Sequence, residues 1–197
     1  MSLYQTEQRQ SKTTRILVYP NITFAKDLEK DSYIQVIKKQ ITLLNEIRDD
    51  LWFYLILPKE VPSLAFDNVT QLMVYLPTHS PTMRAHFDTE AIKKVLPKEY
   101  DFDLVMCHLP EHAYDLKNVL YNKTQHMPKF FGYAHWFDFK EVVNWPMDSF
   151  NKSMIGLLEY DKCYINTQHQ KEMVLKQAEE IFNSDTLYKL SNILEVQ

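Results

Sequence analysis

Arg15-Ile16-Leu17-Val18-Tyr19-Pro20 is apolar without a break after its arginine and is stopped by a proline. A strand with one solvated face alternates apolar with polar residues, and a strand covered on both faces does not, so this run predicts a buried strand of a parallel sheet. Ile34, Ile37, Ile41, Leu44 and Ile47 then recur at three- and four-residue steps within 27–50, with Lys30, Lys38, Lys39 and Glu46 on the other side. That spacing predicts an amphipathic helix of about six turns. Strands are expected at 51–57 and 69–76, each stopped by a proline, with a loop through Pro62 and Ser63 between them. A short helix at 89–95, a strand at 103–108, a helix at 111–122 and a strand at 129–134 continue the alternation. The last third predicts a helix at 147–160, a strand at 162–166, a helix at 168–182, a small helix near 186–190 and a final run at 192–196. Strand and helix taking turns over the whole length predict an α/β fold, Rossmann-like and doubly wound, with a mostly parallel sheet and helices on both faces.

The chain has 197 residues, 45% of them hydrophobic and 24% charged, with 12 Tyr and 11 Phe. That is apolar surface enough for one packed core, and it excludes general disorder. Residues 1–14 read as a polar tail without the apolar stretch of a signal peptide, and residues 15–197 as a single domain with no repeat or linker. No apolar run approaches the roughly 20 residues of a membrane helix, so no transmembrane segment and a cytoplasmic location are expected. A net charge of −4 with no basic block argues against nucleic acid as a partner. The 2 glycines, Gly132 and Gly156, stand far apart. A Walker P-loop, a G-x-G-x-x-G turn and a G-x-S-x-G elbow each need glycines close together, and all three are excluded. Cys107 and Cys163 sit in apolar runs without C-x-x-C spacing, which predicts buried thiols.

In open α/β sheets, ligands bind beyond the carboxyl ends of the strands, near the point where strand order reverses. The predicted strand ends supply Asn21 and Thr23, then His79, then His108 and His112, then His135, Trp136 and Asp138, then Asn166, Thr167 and His169. A histidine there suits proton transfer at neutral pH, so His135 is the candidate catalytic group, with Asp138 either orienting it or binding a hydroxyl directly. Packing in a half-buried loop is the alternative for each histidine. Asn21, Thr23, His79, Arg84, His108, Trp136, Asn166 and Thr167 are the substrate-binding candidates. Arg84 offers a planar fork to an anionic group, against an ordinary solvated connection. His108 and His112, four apart near Asp115, form only a weak zinc pattern, because Pro110 marks the first helical turn and leaves His108 outside it. No metal site is assigned. In the ring-rich stretch 130–139, residues 130–133 are expected in the core. Trp136 to Asp138 are expected in the cleft, where an aromatic face suits the C–H face of a sugar.

Two passages carry a family resemblance. Phe130-Phe131-Gly132-Tyr133-Ala134-His135-Trp136-Phe137-Asp138 resembles the strand and histidine-containing turn of the N-terminal, acceptor-side half of GT-B glycosyltransferases, in the retaining group that includes sucrose and glycogen synthases. Glu159-Tyr160-Asp161-Lys162-Cys163-Tyr164-Ile165-Asn166-Thr167-Gln168-His169-Gln170-Lys171-Glu172 is similar to a helix, aspartate, strand, small polar residue, helix passage near the end of that half. The resemblance implies that His135 sits beside the transferred sugar, with Asn166 and Thr167 on the rim of the cleft. It implies a nucleotide-sugar as co-substrate with no other cofactor, a carbohydrate or other hydroxyl acceptor, and a donor-binding C-terminal half missing from this chain, without which it is inactive. The closing run 192–197 reads as a strand just beginning, which suggests a larger protein cut there, with a natural C-terminal strand as the alternative. One departure stands out: Pro20-Asn21-Ile22-Thr23-Phe24 has no glycine, where the family has a Gly-rich turn that contacts the donor phosphate. The alternative is a stand-alone α/β binding or interaction module for a small polar ligand or a protein partner. A receiver-type module is disfavoured, because no acidic pair follows the first strand and no lysine ends the fifth.

Overall fold

A computed structural model describes residues 13–20, 31–58, 64–74, 87–97, 101–124, 127–134 and 147–197. Strand β1 is Thr14–Tyr19, buried from Ile16 to Tyr19 as its unbroken apolar run predicts. Helix α1 is Ser32–Ile47. It begins later than its apolar period alone predicts, because the Asp31 carboxylate accepts hydrogen bonds from Tyr33 N and Ile34 N at 2.9 Å and fixes the start. Ile34, Ile37 and Ile41 pack onto the sheet, whereas Ile47, expected on the same stripe, is 76% exposed. As the last residue of the helix, it has turned away before the chain re-enters the sheet.

The chain continues through β2 (Leu51–Pro58), β3 (Val69–Val74), α2 (Thr89–Val95), β4 (Leu104–Cys107), α3 (Pro110–Thr124) and β5 (Lys129–Ala134). It closes with α4 (Met147–Leu157), β6 (Lys162–Ile165), α5 (Gln168–Ala178), α6 (Ser184–Ile193) and β7 (Leu194–Val196). Pro58 ends β2 from within, in register with Val74. The helix expected at 168–182 stops at Ala178, and α6 is longer than predicted because Asn183 caps it, accepting from Thr186 N at 2.9 Å. The seven strands form one sheet in the order β3-β2-β1-β4-β5-β6-β7, parallel in every pairing. This is the doubly wound, Rossmann-like α/β arrangement.

Two cores lie on opposite faces. Ile34, Ile37 and Ile41 of α1 pack with Ile16, Val18, Phe53, Leu55 and Leu57 on one face. Residues of α2 to α6 pack with Leu17, Tyr19, Val105, Cys107, Phe130, Cys163 and Ile165 on the other. Because α1 packs against β1 and β2, the α1 face of β4 to β6 is less covered among the described residues. Met106, Phe131, Tyr133 and Tyr164 there are half-buried. Phe131 and Tyr133 are therefore not the deep core residues expected of them, while Phe130 is fully buried. Among the described residues, no helix is long and apolar enough to cross a membrane.

Aspartates fasten the amino ends of the strands. Asp103 Oδ2 accepts from Arg15 N at 2.9 Å, and Asp161 Oδ2 from Phe130 N at 2.8 Å. The Thr14 hydroxyl donates to Asp50 Oδ2 at 3.2 Å.

Both glycines occupy close approaches. A Cβ on Gly156, in α4, would lie 1.7 Å from the Pro110 carbonyl oxygen at the start of α3. A Cβ on Gly132 would lie 2.8 Å from the Tyr160 ring and 2.9 Å from Cys163 Sγ. In an open helix, Gly to Ala stabilises by about 1 kcal/mol. Here overpacking reverses the sign, and Gly156→Ala is expected to lower stability by about 1–3 kcal/mol or more in urea unfolding; a stabilised variant would contradict this packing.

Candidate functional site

Strand order reverses between β1 and β4, whose carboxyl ends are Tyr19 and Cys107. Ligands of open α/β sheets bind above such a point. Residues 107–112, which carry the chain from β4 into α3, are held from several directions. His108 N donates to Tyr19 O at 2.9 Å, adding a rung to the β1/β4 ladder, and His112 N donates to Leu109 O at 3.0 Å. The Tyr160 hydroxyl, arriving from the turn after α4, donates to Cys107 O at 3.0 Å. Pro110 takes the first helical position, where its missing N–H has no helical partner to lose.

Tyrosine apart, the buried polar or charged residues among those described are His108, Glu111, His112, Ser153 and Gln177. Three of the five belong to this corner. Burying such groups is unfavourable without specific partners, so their concentration at the switch point marks a candidate site. The two histidines turn to different partners. His112 Nδ1 lies 3.0 Å from the Tyr19 hydroxyl, and its ring meets Tyr19 and Phe87 edge-on at 5.7 and 5.5 Å. The His108 ring lies 6.2 Å from that of Tyr133, whose hydroxyl donates to Asn166 Oδ1 at 2.8 Å. A polar row thus runs along the carboxyl ends of β4, β5 and β6, from His108 through Tyr133 to Asn166. Among the described residues, no group of three His, Cys, Asp or Glu side chains is placed to hold a metal ion.

Of the residues singled out from sequence, His108 lies in this corner, and Asn166 and Thr167 are exposed at the end of β6. The Thr167 hydroxyl is committed to capping α5, accepting from Gln170 N at 3.0 Å, and Asn166 N donates to Gln170 Oε1 at 3.1 Å. His135, Asp138, Asn21, Thr23, His79, Arg84 and Trp136 lie outside the described residues. Sequence reading missed Tyr19, Glu111 and Tyr133. The Tyr19–His112 contact spans 93 residues, and no local pattern announces it.

Burial, then the neighbouring Cys107, Glu111, Asp115 and Asp88, pushes the Tyr19 hydroxyl far above the ordinary tyrosine range, so it stays protonated. Burial likewise raises Tyr160 and, less strongly, Tyr133.

No protein-family model matches the chain, and a search of curated proteins finds no relative.

Burial pushes the thiols of Cys107 and Cys163 up from 9.0 to about 12. Unfolding restores the lower value, so the unfolded chain releases these protons first as pH rises. Stability is expected to be insensitive to these thiols below pH 9 and to fall from there towards pH 12, read as the urea midpoint; a midpoint that rises over that range would contradict their burial.

Proposed function

We propose that this chain is the acceptor-side half of a sugar-transferring enzyme, in which a glycosyl group passes from a nucleotide-sugar to a hydroxyl acceptor. The observation that carries this reading is the polar row His108, Tyr133 and Asn166 along the carboxyl ends of a fully parallel sheet, beside the point where its order reverses. A hydroxyl-rich ligand needs alternating donors and acceptors beside an aromatic surface, and this row supplies both. The resemblance of the sequence at 130–138 and 159–172 points the same way. In this reading, which the resemblance implies, His135 acts beside the transferred sugar, Asp138 either orients it or binds a hydroxyl directly, and a donor-binding half supplies the nucleotide contacts.

The stand-alone binding module is the second reading. It is favoured by the Tyr19-Pro20 ending of β1, which offers no glycine turn to a phosphate. The two differ in their dependence on nucleotide. On a glycan array and in calorimetry, the 197-residue chain is expected to bind carbohydrate, to transfer nothing, and to gain transfer activity from a nucleotide-sugar only when joined to a donor-binding half. In that assembled enzyme, His135→Ala is expected to lower turnover roughly tenfold or more. Absence of any carbohydrate binding would overturn the transferase reading, and unchanged turnover in the variant would remove His135 from the mechanism.

A further inference from the structure

A sheet edge leaves backbone donors and acceptors without a ladder partner, and proteins blunt such edges with short strands, charges or proline. The two edges of this sheet differ. β7 has 3 residues, and its Glu195 is ion-paired to Lys162. β3, at the other edge, has 6 residues, Val-Thr-Gln-Leu-Met-Val, with neither a charge nor a proline. Phe53 N donates to Asn68 O at 2.9 Å, with Phe53 in register with Val69. In a parallel ladder this phase turns the N–H and C=O of Thr70, Leu72 and Val74 towards β2, and those of Val69, Gln71 and Met73 away from it. Among the described residues, no strand pairs with that outer side.

The outer side is complementary to itself. We propose that β3 pairs antiparallel with β3 of a second copy of this chain, about a two-fold axis through Gln71, joining two sheets into one. That axis engages all three outward residues: Gln71 faces the partner's Gln71, while Met73 and Val69 face the partner's Val69 and the partner's Met73. These side chains share the α1 face, where Val69 packs against the α1 core and Met73 is 38% exposed. Apolar groups therefore meet apolar groups, and no like charges are opposed. Gln71 Oε1 is buried without a hydrogen-bond partner among the described residues. At the axis, the partner's Gln71 amide, about 5.5 Å away between Cα atoms, supplies a donor. On the opposite face, a cleft of about 350 Å³ lies between Val74 and Asp88, Ala91 and Val95 at α2. Continuing the register by one residue sets the partner's Trp52, 37% exposed, in the row of Val74, two strand spacings or about 10 Å away. The exposed indole of one copy thus stands beside the apolar walls of the other.

The test is sedimentation equilibrium of the 197-residue chain. A mass of twice 23.5 kDa is expected, with the amides of Gln71 and Met73 protected from hydrogen exchange although they lie on an edge. Proline is tolerated on an edge strand where the N–H it removes faces outwards, so Gln71→Pro is expected to keep its circular dichroism and to return the mass to that of one copy. Met73→Lys, at an exposed position, is expected to do the same by setting a charge against the partner's Val69. Val196→Lys, on the opposite edge, is expected to leave the dimer intact. The mass of one copy for the unaltered chain, a dimer that survives both β3 variants, or a dimer abolished by Val196→Lys would each overturn the pairing. Should Gln71→Pro fail to fold, Met73→Lys decides alone.

Discussion

The seating of the β4–α3 corner against α4 and the turn that follows it is the constraint on which the rest depends. Gly156 lets α4 approach the Pro110 carbonyl so closely that no side chain fits between them, and Gly132 leaves room for the Tyr160 ring. That ring then reaches across β5 and places its hydroxyl on Cys107 O. The register puts Cys107, Gly132 and Cys163 in one row across β4, β5 and β6, so a single missing Cβ in the middle strand admits the aromatic ring between two buried thiols. The chain has few glycines, and it places Gly156 where α4 meets the start of α3 and Gly132 where the Tyr160 ring crosses β5. A corner fixed in this way holds its side chains without loop adjustment, which is the requirement for a preorganised site.

The two ends of the sheet divide the work. At the amino ends, Asp50, Asp103 and Asp161 each hold one of the first two residues of a neighbouring strand, which fixes register and contributes to stability. At the carboxyl ends, the polar groups face one another: Tyr19 with His112, and Tyr133 with Asn166. Because the sheet is parallel throughout, all the strand ends on which chemistry can be assembled lie along one edge.

Much of this architecture was legible in the residue pattern. The unbroken run at 15–20 announced a strand covered on both faces, and the strand expected at 129–134 has the bounds of β5. Boundaries moved where a cap outweighed periodicity, as at Asp31 and Asn183. The site was harder to read. The aromatic density of 130–133 looked uniformly like core, whereas α1 covers only part of its face and leaves Tyr133 half-buried, able to turn its hydroxyl to Asn166. His108 and His112 are four apart, but Pro110 starts α3 between them, as the sequence reading expected, and one turns to Tyr133 while the other turns to Tyr19. Such partners are set by strand order, which no local spacing encodes.

We propose that carbohydrate binds at the carboxyl edge of the sheet around β1, β4 and β6. A crystal structure of this chain with an oligosaccharide tests it most directly. A sugar ring is expected over that edge, within hydrogen-bonding distance of residues in 107–112 or 166–167. A sugar seated at the amino ends, or on the outer faces of the helices, would contradict it.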